Sequence, residues 1–192
     1  MIHFKHTIQV GAIISLITGS LWAQPSGKEI LDKIDANMSA DTRYVKSKMV
    51  IHGPRSSRTI ESESWAEGNS AFTEYLAPAR EKGTKMLKQE DKLCIFSPST
   101  DRTIQISGHM LRQSVMGSDL SYEDMMDDKK LSDVYEAAVV GSETIGETDC
   151  WVVEMTATVP DVAYQMRKLW VDKNRSIPLK EELYAKSGKL LK

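Results

Sequence analysis

The spacing of apolar residues predicts one amphipathic helix near the start of the chain, over Ser26 to Met38. Ser26, with Glu29 three residues later, has the spacing of a capping box, which marks a helix start. The apolar residues recur at the interval of one helix face. They are Ile30, Leu31, Ile34 and Met38.

From Tyr44 onward the apolar period changes to that of short strands. The first strand alternates until the turn signal at Gly53 and Pro54, and further strands follow at 58–67, 70–76, 84–88, 92–97, 103–107, 135–144, 150–157, 164–172 and 179–185. Many short strands between turns predict a mainly β (α+β) fold. We expect an antiparallel sheet, curved or partly closed, because the helices that β-α-β units need are absent from the pattern.

The stretch between the sixth and seventh predicted strands is rich in soft apolar side chains. Methionine is unbranched and polarizable, so it adapts to apolar partners of different shape. Such a surface suits a protein that holds acyl chains and then releases them. Ordinary core packing explains the same composition, and the residues alone leave both interpretations open. The residues are Met110, Leu111, Val115, Met116, Leu120, Met125 and Met126.

Two strand tryptophans are further candidates for an apolar wall. Trp151 shares a predicted strand face with Val153 and Met155, and Trp170 shares one with Tyr164 and Met166. A face of this kind is either a sealed core or the wall of an apolar cleft, and the alternation does not decide between them.

Signatures of catalysis and of metal binding are missing from the sequence. Only His52 and His109 remain outside the N-terminal segment, and no zinc-protease, nucleophile-elbow or phosphate-loop motif is present. The acidic group from Asp119 to Asp128 suggests either a divalent-cation site or a capped helix start. We favour the cap, because Ser121 and Asp124 have capping-box spacing. We therefore expect no enzyme, no metal and no cofactor.

The first 23 residues have the pattern of a secretory signal peptide. A basic start at Lys5 precedes an apolar run that is too short to span a membrane, and Ala23 is a plausible cleavage site. An uncleaved anchor is the alternative, because Leu21 is larger than the residue usual at its position. We expect a signal peptide over 1–23 and one soluble exported domain over 24–192.

Charge and cysteine content restrict the partners and the redox chemistry. The chain has 27 acidic and 25 basic residues, which argues against a nucleic-acid partner recruited by bulk charge. Cys94 and Cys150 both lie in predicted strands. A disulfide between them is possible in an oxidising compartment, but the sequence does not establish its geometry, and we favour two buried free thiols.

Five segments together resemble one family, the outer-membrane lipoprotein-sorting proteins, relatives of the periplasmic carrier LolA. The run from Met116 to Asp124 is the most specific part of the resemblance. The segments cover most of the chain after residue 23 and read YLAPAREKGTKML, KLCIFSPSTDRTIQISG, SVMGSDLSYEDM, DCWVVEM and LWVDKNRSIPLKEELYAKSGKLLK.

The resemblance implies a strongly curved, unclosed antiparallel β-barrel, with an N-terminal helix and helical lid segments over its concave face. It implies a periplasmic carrier that binds lipid or lipoprotein acyl chains and transfers them toward the outer membrane. An inner-membrane transporter and an outer-membrane acceptor would be its partners. The implied lid and cleft residues are Met110, Leu111, Val115, Met116, Leu120, Met125, Met126, Trp151 and Trp170.

Two further expectations accompany this resemblance. The family usually continues for several strands past a segment like 188–192, so we expect residues 24–192 to lack the last strands of the domain. The alternative function is an exported envelope interaction protein, an adhesin or a scaffold, that uses the same fold without lipid. A secreted hydrolase has no nucleophile–base motif to support it.

Overall fold

The computed structural model describes residues 24–192, so the predicted signal peptide lies outside the described residues. Helix α1 runs from Gly27 to Met38, as its apolar period predicts. The backbone N–H of Glu29 donates to the Ser26 hydroxyl at 3.2 Å, and the N–H of Ser26 donates to the Glu29 carboxylate at 2.7 Å. This capping box satisfies two backbone donors that the first turn leaves free.

The first sheet is a meander in which every strand pairs antiparallel with the next one along the chain. This order follows from the short turns between its strands, since antiparallel neighbours need only a tight connection. Its strands are β1 (Thr42–His52), β2 (Ser57–Glu67), β3 (Ser70–Ala77), β4 (Lys85–Gln89), β5 (Lys92–Ser97) and β6 (Arg102–Ile106).

The second sheet has the order β10-β9-β8-β7 and is also antiparallel. After β10 the chain turns back, and Leu190 forms an antiparallel bridge to Tyr184. The strands are β7 (Tyr135–Ile145), β8 (Thr148–Ala157), β9 (Met166–Asp172) and β10 (Pro178–Tyr184). The mainly β, unclosed architecture expected from the sequence is confirmed, and most predicted strand ends differ from the observed ends by one or two residues.

Residues 107–134 connect the two sheets, and we call residues 108–128 of this connection the lid. It contains two short 3₁₀ turns, Gly108–Arg112 and Val115–Gly117, followed by helix α2 (Tyr122–Met126). Helix α3 (Leu131–Val134) then leads into β7. Within residues 24–192, no helix combines the length and the apolar character needed to cross a membrane.

The described residues form three apolar clusters, and the two larger ones each lie under a covering segment. Helix α1 buries Ile30, Leu31 and Ile34 against one face of the second sheet, where Val153 and Leu169 are almost fully buried. The lid packs on one face of the first sheet. Burial of apolar area is the main favourable term in folding, so each sheet depends on its own cover.

Both cysteines are free, as favoured from the sequence. Cys150 is fully buried in β8 of the second sheet, as expected. Cys94 is only partly buried in β5 of the first sheet, where the sequence predicted a buried thiol.

Gly27 opens α1 against the backbone of β7. A Cβ atom there would lie 2.0 Å from the carbonyl oxygen of Ala137, and backbone cannot turn aside as a flexible side chain can. We expect Gly27→Ala to lower the free energy of unfolding by about 1–3 kcal/mol, the usual cost of overpacking.

The matched control is Gly141→Ala in β7, where the added Cβ meets open space. It should leave the protein as stable as before, or more stable by roughly 0.4–1 kcal/mol through the unfolded chain. Urea unfolding of the two variants measures the difference. Equal stabilities would show that α1 does not sit this tightly on β7.

Candidate functional site

The lid covers the apolar face of the first sheet, which we call the covered face. The core there consists of Ile60, Tyr75, Met86, Leu93, Ile95 and Ile106. The structure brings five of the sequence-predicted candidates onto this core, each partly buried. They are Met110, Leu111, Met116, Met125 and Met126.

The lid does not fill all the space beneath it. A cavity of about 250 Å³ remains between the lid and strands β1 to β3, and we call it the lid cavity. Val115 is buried at its edge, whereas Leu120 lines it and is still 48% exposed. Ligand pockets usually measure roughly 300–1,000 Å³, so a larger apolar ligand needs the lid to move outward.

Four hydroxyl groups lie on the floor of the lid cavity. The hydroxyls of Ser47 and Ser62 hydrogen-bond each other at 2.8 Å, as do those of Ser64 and Thr73. In each pair one hydroxyl donates and the other accepts, so each of the four has one hydrogen-bond partner on the neighbouring strand.

Tyr75 adds a buried phenol to the same floor. Its hydroxyl donates to the Met86 sulfur at 3.1 Å. Burial, with small contributions from Tyr122 and Glu81, raises the pKa of Tyr75 to about 12. The phenol therefore stays neutral at any physiological pH.

The sharp turn at Met116 and Gly117 fixes the lid at one point. Both residues have left-handed backbone, with φ of 51° and 68°, which is costly for a methionine. The Arg58 guanidinium, from β2, donates to the Met116 carbonyl oxygen. It also occupies the place of a Gly117 side chain, since a Cβ would lie 2.6 Å from its nitrogen. The geometry therefore explains the glycine in the family-like run.

A second attachment joins α2 to the second sheet, and we call it the lid latch. The Tyr164 hydroxyl donates to the Asp124 carboxylate at 2.7 Å. The Lys192 ammonium donates to the same carboxylate at 2.9 Å and to the Tyr164 hydroxyl oxygen at 2.6 Å. Tyr164 and Lys192, from two other parts of the chain, thus hold α2 in place through Asp124.

The latch carboxylate is ionised at neutral pH. Burial alone would raise the pKa of Asp124, but hydrogen bonds from the Ser121 backbone N–H, Lys192 and Tyr164 outweigh it and hold the pKa below its usual value. Ser121 and Asp124 form the capping box that the sequence predicted for this acidic group. Among residues 24–192 no group of three or more potential metal ligands converges.

A third attachment lies at the end of the lid. Lys88, on the covered face of β4, donates to the Met126 carbonyl oxygen at 3.2 Å and to the Asp128 carboxylate at 2.5 Å. Together with Arg58 and the latch, this contact holds the lid by a small number of polar groups, while soft apolar contacts fill the area between them.

The two tryptophan candidates lie elsewhere. Trp151 packs against the core under α1, with the Lys173 ammonium 4.3 Å from its ring centre. Trp170 pairs with Val152 and therefore lies on the opposite face of the same sheet. Its indole N–H donates to Glu143 at 2.7 Å, and the Lys180 ammonium is 3.9 Å from its ring centre.

Neither tryptophan lines the lid cavity, because the cavity belongs to the first sheet and both residues belong to the second. The alternation seen in the sequence places Trp151 and Trp170 on the two opposite faces of the second sheet. A lipid-binding role for the seven lid candidates stays a prediction.

Several residues at this site have no motif that singles them out in the sequence. Arg58, Lys88 and Tyr164 reach the lid from strands or loops distant in the chain. The hydroxyl floor leaves one local signal: Ser62 and Ser64 follow Ile60 at period two, so they share its face. His109, the one histidine in the lid, is exposed.

Comparison with known proteins assigns this chain to a family. A family model described as an uncharacterized protein matches residues 67–192. The chain belongs to this family. A search of curated protein sequences finds no match.

Solved structures of similar proteins show the fold of this chain. A DUF1329 family protein from Desulfovibrio piger is 24% identical, with a TM-score of 0.70, over 85% of this chain and 74% of that one. A putative outer membrane lipoprotein-sorting protein domain from Vibrio parahaemolyticus is 23% identical, with a TM-score of 0.66, over 85% and 74%.

A LolA superfamily protein from Nitrosomonas europaea is 26% identical, with a TM-score of 0.59, over 87% of this chain and 75% of that one. The resemblance to lipoprotein-sorting proteins drawn from the sequence is confirmed, and the curved, unclosed half-barrel is of the lipoprotein-carrier type.

The latch gives a testable pH dependence. Because the pKa of Asp124 is lowered in the folded protein, its contribution to stability is complete above the ordinary aspartate pKa of about 3.9 and is lost as pH falls through the folded value. We expect Asp124→Asn to cost roughly 1.5–3 kcal/mol at pH 7, as for hydrogen bonds to charged groups. The difference from wild type should shrink progressively below about pH 4.

Asp119→Asn is the matched control, since Asp119 is an exposed carboxylate in the same lid. It should leave stability within about 0.5 kcal/mol of wild type, as surface changes usually do. Denaturant unfolding from pH 7 downward measures both. A penalty for Asp124→Asn that is the same at every pH would contradict an ionised latch.

Proposed function

We propose that this protein is a periplasmic carrier that holds the acyl chains of a lipid or lipoprotein under its lid. One observation carries the proposal: a cavity lined largely by apolar side chains and paired hydroxyls lies beneath a methionine-rich cover that a few polar contacts attach. Rigid, interlocking side chains would seal a core permanently, whereas methionines repack around apolar partners of different shape.

Opening of the lid would enlarge the binding surface. Met86 and Ile95 are buried under it in the closed form and pair with each other on neighbouring strands. Exposed together with the lid cavity, they form one apolar wall along the covered face. Burial of each chain methylene against that wall contributes about 0.8 kcal/mol, so affinity would rise with chain length.

The carrier type of the fold supports transfer toward the outer membrane as the purpose of this binding. Export through the predicted signal peptide over 1–23 would place domain 24–192 between the membranes. An inner-membrane transporter would load it, and an outer-membrane acceptor would unload it. A carrier of this kind makes and breaks no covalent bond.

A second candidate function has one observation in its favour. Tyr44, Trp65 and Phe72 form a ladder across β1 to β3, with ring centres 5.4 and 5.9 Å apart. The ladder is on the face opposite the lid, and Tyr44 and Trp65 are half-exposed there. Exposed aromatic residues are typical of interaction surfaces, so an envelope interaction protein without lipid cargo would use this face.

Lipid that co-purifies with the protein decides between the two candidates. We expect the wild-type protein, isolated from the exported fraction, to carry acyl lipid that mass spectrometry detects. Leu120→Gln should reduce the amount roughly tenfold, because it removes an apolar side chain worth about 1.5–3 kcal/mol when fully buried.

Leu179→Gln is the control, since Leu179 is a similarly exposed leucine in β10 that does not line the lid cavity. It should carry as much lipid as wild type. Protein that carries no acyl lipid in any of the three forms would contradict the carrier function and favour the interaction protein.

A further inference from the structure

Lys88 is a buried cation on an apolar wall. It is 7% exposed and lies on the covered face of β4. Its register partners are Ala71 on β3 and Leu93 on β5. Lysine is rarely buried without a partner, because its ammonium loses hydration there. This lysine therefore depends on the groups that face it.

Both groups that hydrogen-bond the Lys88 ammonium come from the end of the lid. They are the Met126 carbonyl oxygen, on the last residue of α2, and the carboxylate of Asp128 two residues later. Outward movement of the lid would remove both together. Lys88 would then remain on the wall as a cation without its counter-ion.

The position of Lys88 relates it to the lid cavity. Met86 is two residues away on the same face, about 7 Å along the strand. Met86 in turn pairs with Thr73, which lines the lid cavity. A chain that starts at Lys88 and passes Met86 therefore reaches the cavity.

A second cation lies in the same cross-strand row. Arg43 of β1 pairs with Ala66, Ala66 with Ala71, and Ala71 with Lys88. Three strand spacings, about 14 Å, separate the two cations, with only alanine side chains between them. The row offers positive charge and little steric obstruction to a headgroup.

We propose that Lys88 is a headgroup site for anionic amphiphiles, resting on the carrier function proposed above. When the lid opens, a phosphate or carboxylate replaces Asp128 on the Lys88 ammonium, and the acyl chain lies past Met86 toward the lid cavity. The bound anion takes the place of the partner that Lys88 loses when the lid moves away. The site selects anionic over neutral amphiphiles.

Titration calorimetry with three amphiphiles that share a twelve-carbon alkyl tail tests the site: dodecyl phosphate, tridecanoate and the neutral dodecyl maltoside. The wild-type protein should bind at least one anion about tenfold more tightly than the maltoside. Lys88→Gln should abolish that preference and leave the maltoside affinity unchanged, whereas Lys88→Arg should retain it.

Two further variants distinguish a specific charge site from a general effect of charge or structure. Asp128→Asn removes the competing carboxylate and should strengthen anion binding severalfold, opposite in sign to Lys88→Gln. Lys85→Gln is the matched control, since Lys85 is exposed on the other face of β4, and it should change nothing. Equal binding of phosphate and carboxylate supports a charge site, and binding of phosphate alone supports the site and identifies the headgroup.

Three results with the variants would overturn the inference. One is an anion preference that persists in Lys88→Gln. Another is an equal loss of anion and maltoside binding in that variant, which would show a structural role only. The third is a loss in Lys85→Gln as large as in Lys88→Gln, which would show bulk charge. Wild-type protein that binds none of the amphiphiles contradicts the carrier function itself, whereas maltoside binding without anion preference contradicts this inference alone.

Discussion

The apolar covered face of the first sheet must be shielded from water, and within residues 24–192 the lid shields it. A six-stranded antiparallel sheet needs a partner layer for one face, yet the segment over it is only two 3₁₀ turns and a five-residue helix. Helices this short are unstable alone. The capping box at Ser121, the contact from Arg58 and the Asp124 latch supply what the local structure lacks.

This constraint separates the two halves of the molecule. The second sheet is covered by a three-turn helix that begins with Gly27 against the β7 backbone, over a core rich in leucine, isoleucine and valine. The first sheet is covered by a short lid, over a core with six methionines at or near the contact. One half is tightly packed and the other is adaptable, which is the division that the proposed carrier function requires. Elements that move in binding come from the less stable part of a structure.

The small number of polar contacts is also consistent with the proposed movement of the lid away from the sheet. Each attachment, from Arg58, Lys88 or Tyr164, is a side chain that reaches one or two residues of the lid. Loss of a few hydrogen bonds therefore frees the whole segment. In the proposed carrier, acyl chains of similar polarity would then replace the methionine contacts at little cost in buried apolar area.

Local signals in the sequence predict most of this architecture. The Ser26 and Ser121 capping boxes and the period-two strands depend on residues a few positions apart, so the sequence identifies them. The lid was recognisable from its methionines. The Lys88–Asp128 pair and the Asp124–Tyr164 latch depend on how distant segments meet, which no local pattern encodes. Alternation identifies the two faces of a strand without showing which core each face meets, so it leaves the surroundings of Trp151 and Trp170 open.

Hydrogen exchange of the lid, with and without an acyl ligand, tests the central claim most directly. The amides of residues 108–128 should exchange faster than those of β8 and β9 in the free protein. Saturating dodecanoate should change exchange in the lid and in β1 to β5, and leave α1, β8 and β9 as they were. A lid that exchanges as slowly as β8 and does not respond to the ligand would show that it is a fixed part of the core.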